Sequence, residues 1–428
     1  MSYLSSVNAR RLSNGIEVYC LPKQEIPLVC LLIYFGIGSG SEDSSETGMC
    51  HFLEHMMFKG SANFPQGSLD IFSMRNGGEN NAFTSRDSTC YYHVLPAESW
   101  WKVLSLERDR LNSLNLETKD FNSEKQVVLE ELFMYQDDPF EALYDAHYLS
   151  AFTPSHPYHH PILGFEPVLQ AMTVENMRNF YEHKYQAGNM KFLVIGKLEP
   201  EKAFEELEKN FGEFRSRSQF RYPKLASKSK PSNSLIKIAQ DVNQTRLRLS
   251  FPSNRASDAT EEPTAAVVEE LLAGGRSCPL MHNLRDELGL ITSLQAFNDD
   301  QVLEGRFFID LELSESIQPD QVLPYVYEEI ARIREGAIST EEINAAKRRA
   351  NLCFYQDQER LEDRAYCLSQ HLLEADFESY FEFGERVNAV QPDQIKSFAK
   401  KYFNAENMIT GVSYDQSSTA PELVEADF

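Results

Sequence analysis

The sequence predicts an α+β protein made of two duplicated domains, each a mostly antiparallel β-sheet flanked by α-helices. Three observations carry that expectation. Short apolar runs of strand character are interleaved along the whole chain with longer segments of helical period. A basic, Ser-rich stretch with two prolines, residues 216–234, breaks the pattern and reads as a linker, which places the domains at 1–215 and 235–428. Finally, Phe180, Tyr185, Ala187, Asn189 and Met190 align without gaps to Phe398, Phe403, Ala405, Asn407 and Met408, at an offset of 218, about half of the 428 residues. A chain of that length exceeds one ordinary core and suits two domains of about 200 residues each.

Taken in order, residues 16–21 and 27–35 read as strands separated by a polar turn. The run Gly36-Ile37-Gly38-Ser39-Gly40 lacks both the lysine and the spacing of a phosphate-binding loop, so it is expected to be a strand-to-helix connection. A helix follows around residues 48–57, then a short one over 68–75 that Asn76-Gly77-Gly78 stops. Residues 81–85 and 89–95 form a hairpin with Arg86-Asp87-Ser88 in its bend. Helices are predicted over 98–113 and 116–135, with Val127, Val128, Leu132 and Met134 as the apolar positions of the second. In Ser155-His156-Pro157-Tyr158-His159-His160-Pro161 two prolines prevent helical spacing of the three histidines, which favours a loop over a metal site. A helix over 174–185, a strand over 190–196 and a helix over 200–211 close the first half. The second half repeats the scheme, with strands at 235–239, 245–251, 291–296 and 306–313, and helices at 261–273, 278–288 and through to Tyr402.

Hydrophobic content of 42% and charged content of 25% are those of a globular chain, and no run of about 20 apolar residues is present to span a membrane. A net charge of −24 disfavours nucleic acid and anionic lipid surfaces as partners. The first residues show neither a signal peptide nor a presequence, and the seven cysteines are odd in number and scattered without a C-x-x-C pair. Buried thiols in a reducing, cytoplasmic setting are therefore expected.

The chemistry centres on His51-Phe52-Leu53-Glu54-His55. On a helix, His51 and His55 share one face a turn apart, and two neutral imidazoles so placed suit zinc. Glu54, at the edge of that face, is better aimed at a water beside the metal than at the metal itself. A third ligand is expected from another rigid element. In Glu124-Lys125-Gln126-Val127-Val128-Leu129-Glu130-Glu131, Glu124 and Glu131 lie two turns apart on one helix face, and Glu130 points about 100° away.

With these motifs the chain resembles the inverted-motif (H-x-x-E-H) zinc metallopeptidases that include pitrilysin, insulysin and the mitochondrial processing peptidases. The flanking Phe58-Lys59-Gly60-Ser61 and Asn81-Ala82-Phe83-Thr84-Ser85 agree. The resemblance implies one Zn2+ per chain, held by His51, His55 and Glu131. It implies Glu54 as the general base and Glu124 as the supporting carboxylate. It implies that Asn81, Ala82, Phe83 and Thr84 form an edge strand to which an extended peptide substrate adds.

The family's second domain carries an Arg and a Tyr seven residues apart that hold substrate. Here Arg285 matches the Arg, but Thr292 stands at the Tyr position. The resemblance therefore implies the zinc-bearing subunit of a heterodimer, whose partner lacks the zinc motif and supplies the Arg and Tyr. A homodimer is the second choice. The implied function is endopeptidase cleavage of extended peptides inside an enclosed chamber; a scaffold or regulatory relative that binds peptide without cutting it is the alternative.

Overall fold

The computed structural model describes residues 7–215, 233–276, 278–373, 376–423, 426 and 428. The first half runs β1 (Asn8–Arg11), β2 (Glu17–Pro22), β3 (Leu28–Phe35), α1 (Met49–Met56), α2 (Ser68–Arg75), β4 (Glu79–Thr84) and β5 (Thr89–Pro96). It continues with α3 (Leu104–Asn112), α4 (Thr118–Asp137), α5 (Pro139–Ala151), α6 (Glu166–Ala171), α7 (Val174–Lys184), β6 (Met190–Gly196) and α8 (Pro200–Phe211). The second half opens with β7 (Ser234–Gln240), β8 (Arg246–Ser253), α9 (Glu262–Ala273) and the short α10 (Pro279–Met281), which runs into a π-helical turn over His282–Glu287. It ends with β9 (Ile291–Asp299), β10 (Gly305–Leu313), α11 (Pro319–Glu335), α12 (Thr340–Gln356), α13 (Leu361–Gln370), α14 (Phe377–Ala389), α15 (Pro392–Tyr402) and β11 (Ile409–Asp415).

Two mostly antiparallel sheets result, in the orders β1-β2-β6-β3-β5-β4 and β7-β11-β8-β10-β9. The parallel pair β2–β6 in the first sheet has its counterpart in β7–β11 in the second, as the sequence repeat demands. Composition explains each strand's place. β3, LVCLLIYF, is apolar on both faces, almost wholly buried, and central. β4, ENNAFT, is polar and stands at the edge, paired only with β5, from Glu79 opposite Val94 to Thr84 opposite Thr89.

The chain folds as two compact units that are not its two contiguous halves. The first unit takes the described residues of Met1–Leu132, His160–Leu225 and Asp357–Phe381; the second takes Phe133–His159, Ala226–Gln356 and Glu382–Phe428. Thus α5, which follows α4, belongs to the second unit, while α13, which follows α12 at the corresponding place in the repeat, belongs to the first. In the first unit α13 buries Leu361, Ala365 and Leu368 and packs across β3, β5 and β6. In the second, α5 packs across β11, β7 and β8, and its buried His147 meets Ser250 Oγ at 2.7 Å. An exchange between equivalent positions leaves no trace in local periodicity, so contiguous halves were the natural expectation.

Other expectations need correction. Val127 and Met134 are exposed, at 48% and 72%. The buried stripe of α4 is Phe121, Glu124, Val128, Leu129 and Leu132, so Val127 lies about 100° off it. Cys353 is exposed and Cys367 half-buried, while the other five thiols are buried. The counterpart of α1 in the second half is α9, the helix that follows β8 as α1 follows β3. Most of the expected linker, 216–232, lies outside the described residues, and Ser234 already belongs to β7. No described helix is long and apolar enough to cross a membrane.

Candidate metal centre and active site

α1 is eight residues long and sits deep in the first unit's core through Met49, Cys50, Phe52, Leu53 and Met56. Gly48, in the left-handed region at φ 89°, starts it; a Cβ there would lie 2.4 Å from Leu163 O, so the close approach of that loop requires glycine. Phe52 packs on Phe121 of α4 with ring centroids 4.8 Å apart, which sets the two helices side by side. Beside Phe52, His51 and His55 are presented toward α4 and Glu54 toward the edge strand.

One ligand atom from each of His51, His55 and Glu131 lies within 4.8 Å of the others, and no other such group of three occurs among the described residues. His55 Nε2 is 3.1 Å from Glu131 Oε2, and His51 Nε2 is 3.7 Å from Glu131 Oε1. Two imidazole nitrogens and a carboxylate oxygen, each an electron-pair donor once deprotonated, converge on one point. That donor set and its convergence fit zinc. Glu130, the neighbouring carboxylate, is exposed and takes no part.

Behind the three donors stands a second row. Glu124 Oε1 lies 3.0 Å from His55 Nδ1, and its other oxygen is held by the ammonium of Lys59. Burial raises the Glu124 pKa, but the bonds from His55 and Lys59 outweigh it and hold the carboxyl below its ordinary value. For His55, burial favours the neutral ring, yet Glu124 and Glu131 push its pKa up to about 9. Burial, with His55 beside it, takes His51 down to about 4. The bond from His55 holds Glu131 below the usual carboxylate range.

Glu54 is half-buried, and burial raises its pKa, opposed by the hydrogen bond that Thr84 Oγ1 donates to its Oε2 at 2.6 Å. This bond ties the edge strand to the base candidate. On β4, Thr84 and the half-buried Ala82 face α1; Asn80, on the same side, donates to Asp70 of α2 at 2.9 Å. Phe83 points the other way and meets Tyr366 of α13 edge to face at 5.0 Å. Asn81 is exposed.

Arg285 and Thr292 lie in the second unit. Arg285, in the π-helical turn, pairs with Asp286 at 2.7 Å, and the Thr292 hydroxyl donates to Glu312 O at 3.4 Å. His156, His159 and His160 occupy a turn-rich loop and do not gather: Tyr158 N–H donates to His156 Nδ1, and the Nδ1 atoms of His159 and His160 meet the Phe152 and Pro161 carbonyls. Lys59 and Thr84's bond to Glu54 were not foreseen. Lys59, four residues after His55, carried the signal of a cation on the side of Glu124, but only the packing of α1 on α4 makes it readable.

Comparison with known proteins agrees with this arrangement. Residues 21–164 match the domain described as insulinase (peptidase family M16), and residues 171–350 match the peptidase M16 inactive domain. A zinc protease of Rickettsia felis, itself uncharacterized, is 26% identical over 401 residues, 93% of this chain and 95% of that protein. The zinc protease PqqE of Helicobacter pylori is 25% identical over 411 residues, 94% of this chain and 91% of its own length. The crystal structure of a protease from Helicobacter pylori shares the fold with a TM-score of 0.89 at 24% identity, covering 95% of this chain and 99% of that one.

Proposed function

The chain belongs to the M16, or insulinase, family of peptidases, and from that premise we propose that it is a zinc-dependent endopeptidase acting on extended peptides. The observation that carries the reading is the convergence of His51, His55 and Glu131 beside the half-buried Glu54. One zinc per chain, held by those three side chains, would supply Lewis acidity toward a peptide carbonyl and draw the pKa of an adjacent water toward ~7. Hydrolysis adds water across the C–N bond. Glu54 accepts one proton from the attacking water and delivers it to the amine nitrogen as that bond breaks. Thr84 holds one oxygen of Glu54 and leaves the other for this transfer.

The substrate is an extended chain that adds to β4 along Asn81, Ala82, Phe83 and Thr84. An unpaired edge offers main-chain donors and acceptors irrespective of sequence, so folded proteins are spared and many peptides accepted. Mass spectrometry of products from a pool of unstructured peptides, with and without chelator, tests this directly. Chelator-sensitive cleavage that Glu54→Gln abolishes supports it. Peptide bound but left intact by zinc-loaded wild type would leave only a scaffold or regulatory relative.

The same reading extends to partnership. A threonine hydroxyl is too short for the role of the Tyr expected at position 292, so the working enzyme is a heterodimer enclosing a chamber. Its partner lacks the zinc motif and carries the Arg–Tyr pair, and Arg285 contacts substrate from this chain. Purified alone, the chain is expected to bind zinc and hydrolyse peptides feebly; losing one such donor costs roughly 100- to 1,000-fold. Full activity from a symmetric homodimer would overturn the heterodimer. The buried thiols suit a cytoplasmic setting, which cell fractionation tests.

A further inference from the structure

A peptide laid on the edge strand is cut at the right bond only if that strand is held in register with α1. The two elements are separate in sequence, and Thr84–Glu54 is the one side-chain hydrogen bond described above between them. The bend that joins β4 to β5 supplies a stronger tie. Its Arg86 is 1% exposed and is among the largest fully buried side chains of the chain. A guanidinium so buried is costly unless its donors find acceptors. Arg86 Nη1 donates to His160 O at 2.9 Å. The segment beginning at His160 then abuts the start of α1: a Cβ on Gly164 would lie 2.2 Å from Thr47 O, and Phe165 N–H donates to the Thr47 hydroxyl at 3.4 Å.

A second arm runs through the main chain. Ser39 N–H donates to Ser85 O at 3.0 Å, and Gly40 N–H donates to Arg86 O at 2.8 Å. These bonds require the backbone at Gly38 to press against the bend, where a Cβ would lie 2.5 Å from Ser85 O and from Ser88 N. Gly38 O in turn accepts from the Cys50 thiol of α1 at 3.2 Å. Both arms thus start at the end of the edge strand; one finishes at Thr47, just before the helix that bears His51 and His55, and the other at Cys50 on its first turn.

We propose that Arg86 is a positioning residue that, together with the close-packed Gly38, fixes the register of the bound peptide against the metal-bearing helix and so selects which bond is cut. The proposal rests on the peptidase reading above. It predicts a distinctive fault. When the brace is loosened, the metal ligands stay in place, but the peptide sits at a shifted height, because only the strand end has moved.

The test compares wild type, Arg86→Met, Arg86→Lys and Gly38→Ala on one defined unstructured peptide, with zinc content measured alongside. Arg86→Met and Gly38→Ala are expected to keep stoichiometric zinc and to lower kcat/KM about 100-fold, the scale of an ångström of misplacement. They should also release products cut one or two residues away from the wild-type bond. Arg86→Lys should recover part of the rate and most of the fidelity. Gly38→Ala disturbs the same contact by insertion rather than deletion, so it stands if Arg86→Met fails to fold. Variants that cut the same bond at the wild-type rate would overturn the proposal. So would loss of zinc in step with activity, which would make Arg86 a support of the metal site alone. A wild-type protein that cuts nothing would instead sink the peptidase reading.

Discussion

His55 Nδ1 lies 3.0 Å from Oε1 of Glu124, so one nitrogen of the ring is spoken for and the other, Nε2, is left facing Glu131. Lys59 closes the row by holding Glu124 from behind. Partners of this kind fix the orientation of a ligating imidazole and raise its basicity. Glu124→Gln should therefore weaken zinc binding ~10- to 100-fold without removing a ligand. Lys59→Met should weaken it in the same direction and Lys59→Arg should restore it, as read by chelator competition. Unchanged affinity in both Glu124→Gln and Lys59→Met would show that the row has no part in holding the metal.

The donor set makes a sharper prediction. Replacing any of His51, His55 or Glu131 by Ala should abolish stoichiometric zinc, while Glu54→Gln retains it and loses turnover, both followed by elemental analysis. Glu130→Gln should leave zinc intact, because its side chain is exposed on a different face of α4. Zinc lost from Glu130→Gln and kept by Glu131→Gln would move the third ligand by one residue.

Zinc binding should release a proton. Without metal, Glu124 and Glu131 outweigh burial and keep His55 protonated up to about 9. His51, taken down to about 4 by burial and by His55, is already neutral near neutral pH. Loading zinc at a pH of about 7.5 should then release about one proton, measured by titration calorimetry in buffers of different ionisation enthalpy. The sign for stability follows from His55's raised pKa. Its contribution to the metal-free protein is complete below the unfolded value of 6.5 and is lost as pH climbs through about 9. The zinc-loaded protein should lack that decline.

A second titration belongs to Glu42, whose fully buried carboxylate accepts the N–H groups of Gly48 at 2.8 Å and Cys50 at 2.6 Å. Burial pushes its pKa up from 4.5 to about 8, against the pull of those two bonds. A raised carboxyl pKa means that the folded protein keeps a proton which the unfolded chain gives up. The stabilisation is present below 4.5 and disappears as pH rises through about 8. Thermal midpoints of zinc-saturated wild type should fall between pH about 5 and 8 more steeply than those of Glu42→Gln. Parallel slopes would show that Glu42 is ionised throughout.

Much of this was readable from residues. α2, β6 and α8 fall where caps, prolines and apolar spacing place them, and the zinc motif is local, five residues on one short helix. The carboxylate seven residues before Glu131 could be put on the correct face because helical geometry is rigid. What escaped was long-range. Val127 and Met134 looked like core because pattern alone does not say which of two overlapping stripes on α4 will be covered. Lys59 and Arg86 are polar residues in a turn and a bend; the partial cover of the first and the burial of the second appear only once α1, α4 and the hairpin are packed. The shared face of Thr84 and Glu54 depends on a sheet edge meeting a helix thirty positions earlier, for which no periodicity exists.

The exchange of α5 and α13 sets an order of events during synthesis. The first unit's sheet is complete once β6 has emerged, but the helix that covers β3, β5 and β6 is not made until residues 361–370. At about 5–20 residues per second, the roughly 160 residues between Arg215 and Phe381 occupy on the order of ten to thirty seconds. Throughout that interval the sheet face formed by β3, β5 and β6 has yet to receive the helix that packs on it. A message cut short after the codons of the first half would supply His51, His55 and Glu131 without the helix that covers that face of their sheet.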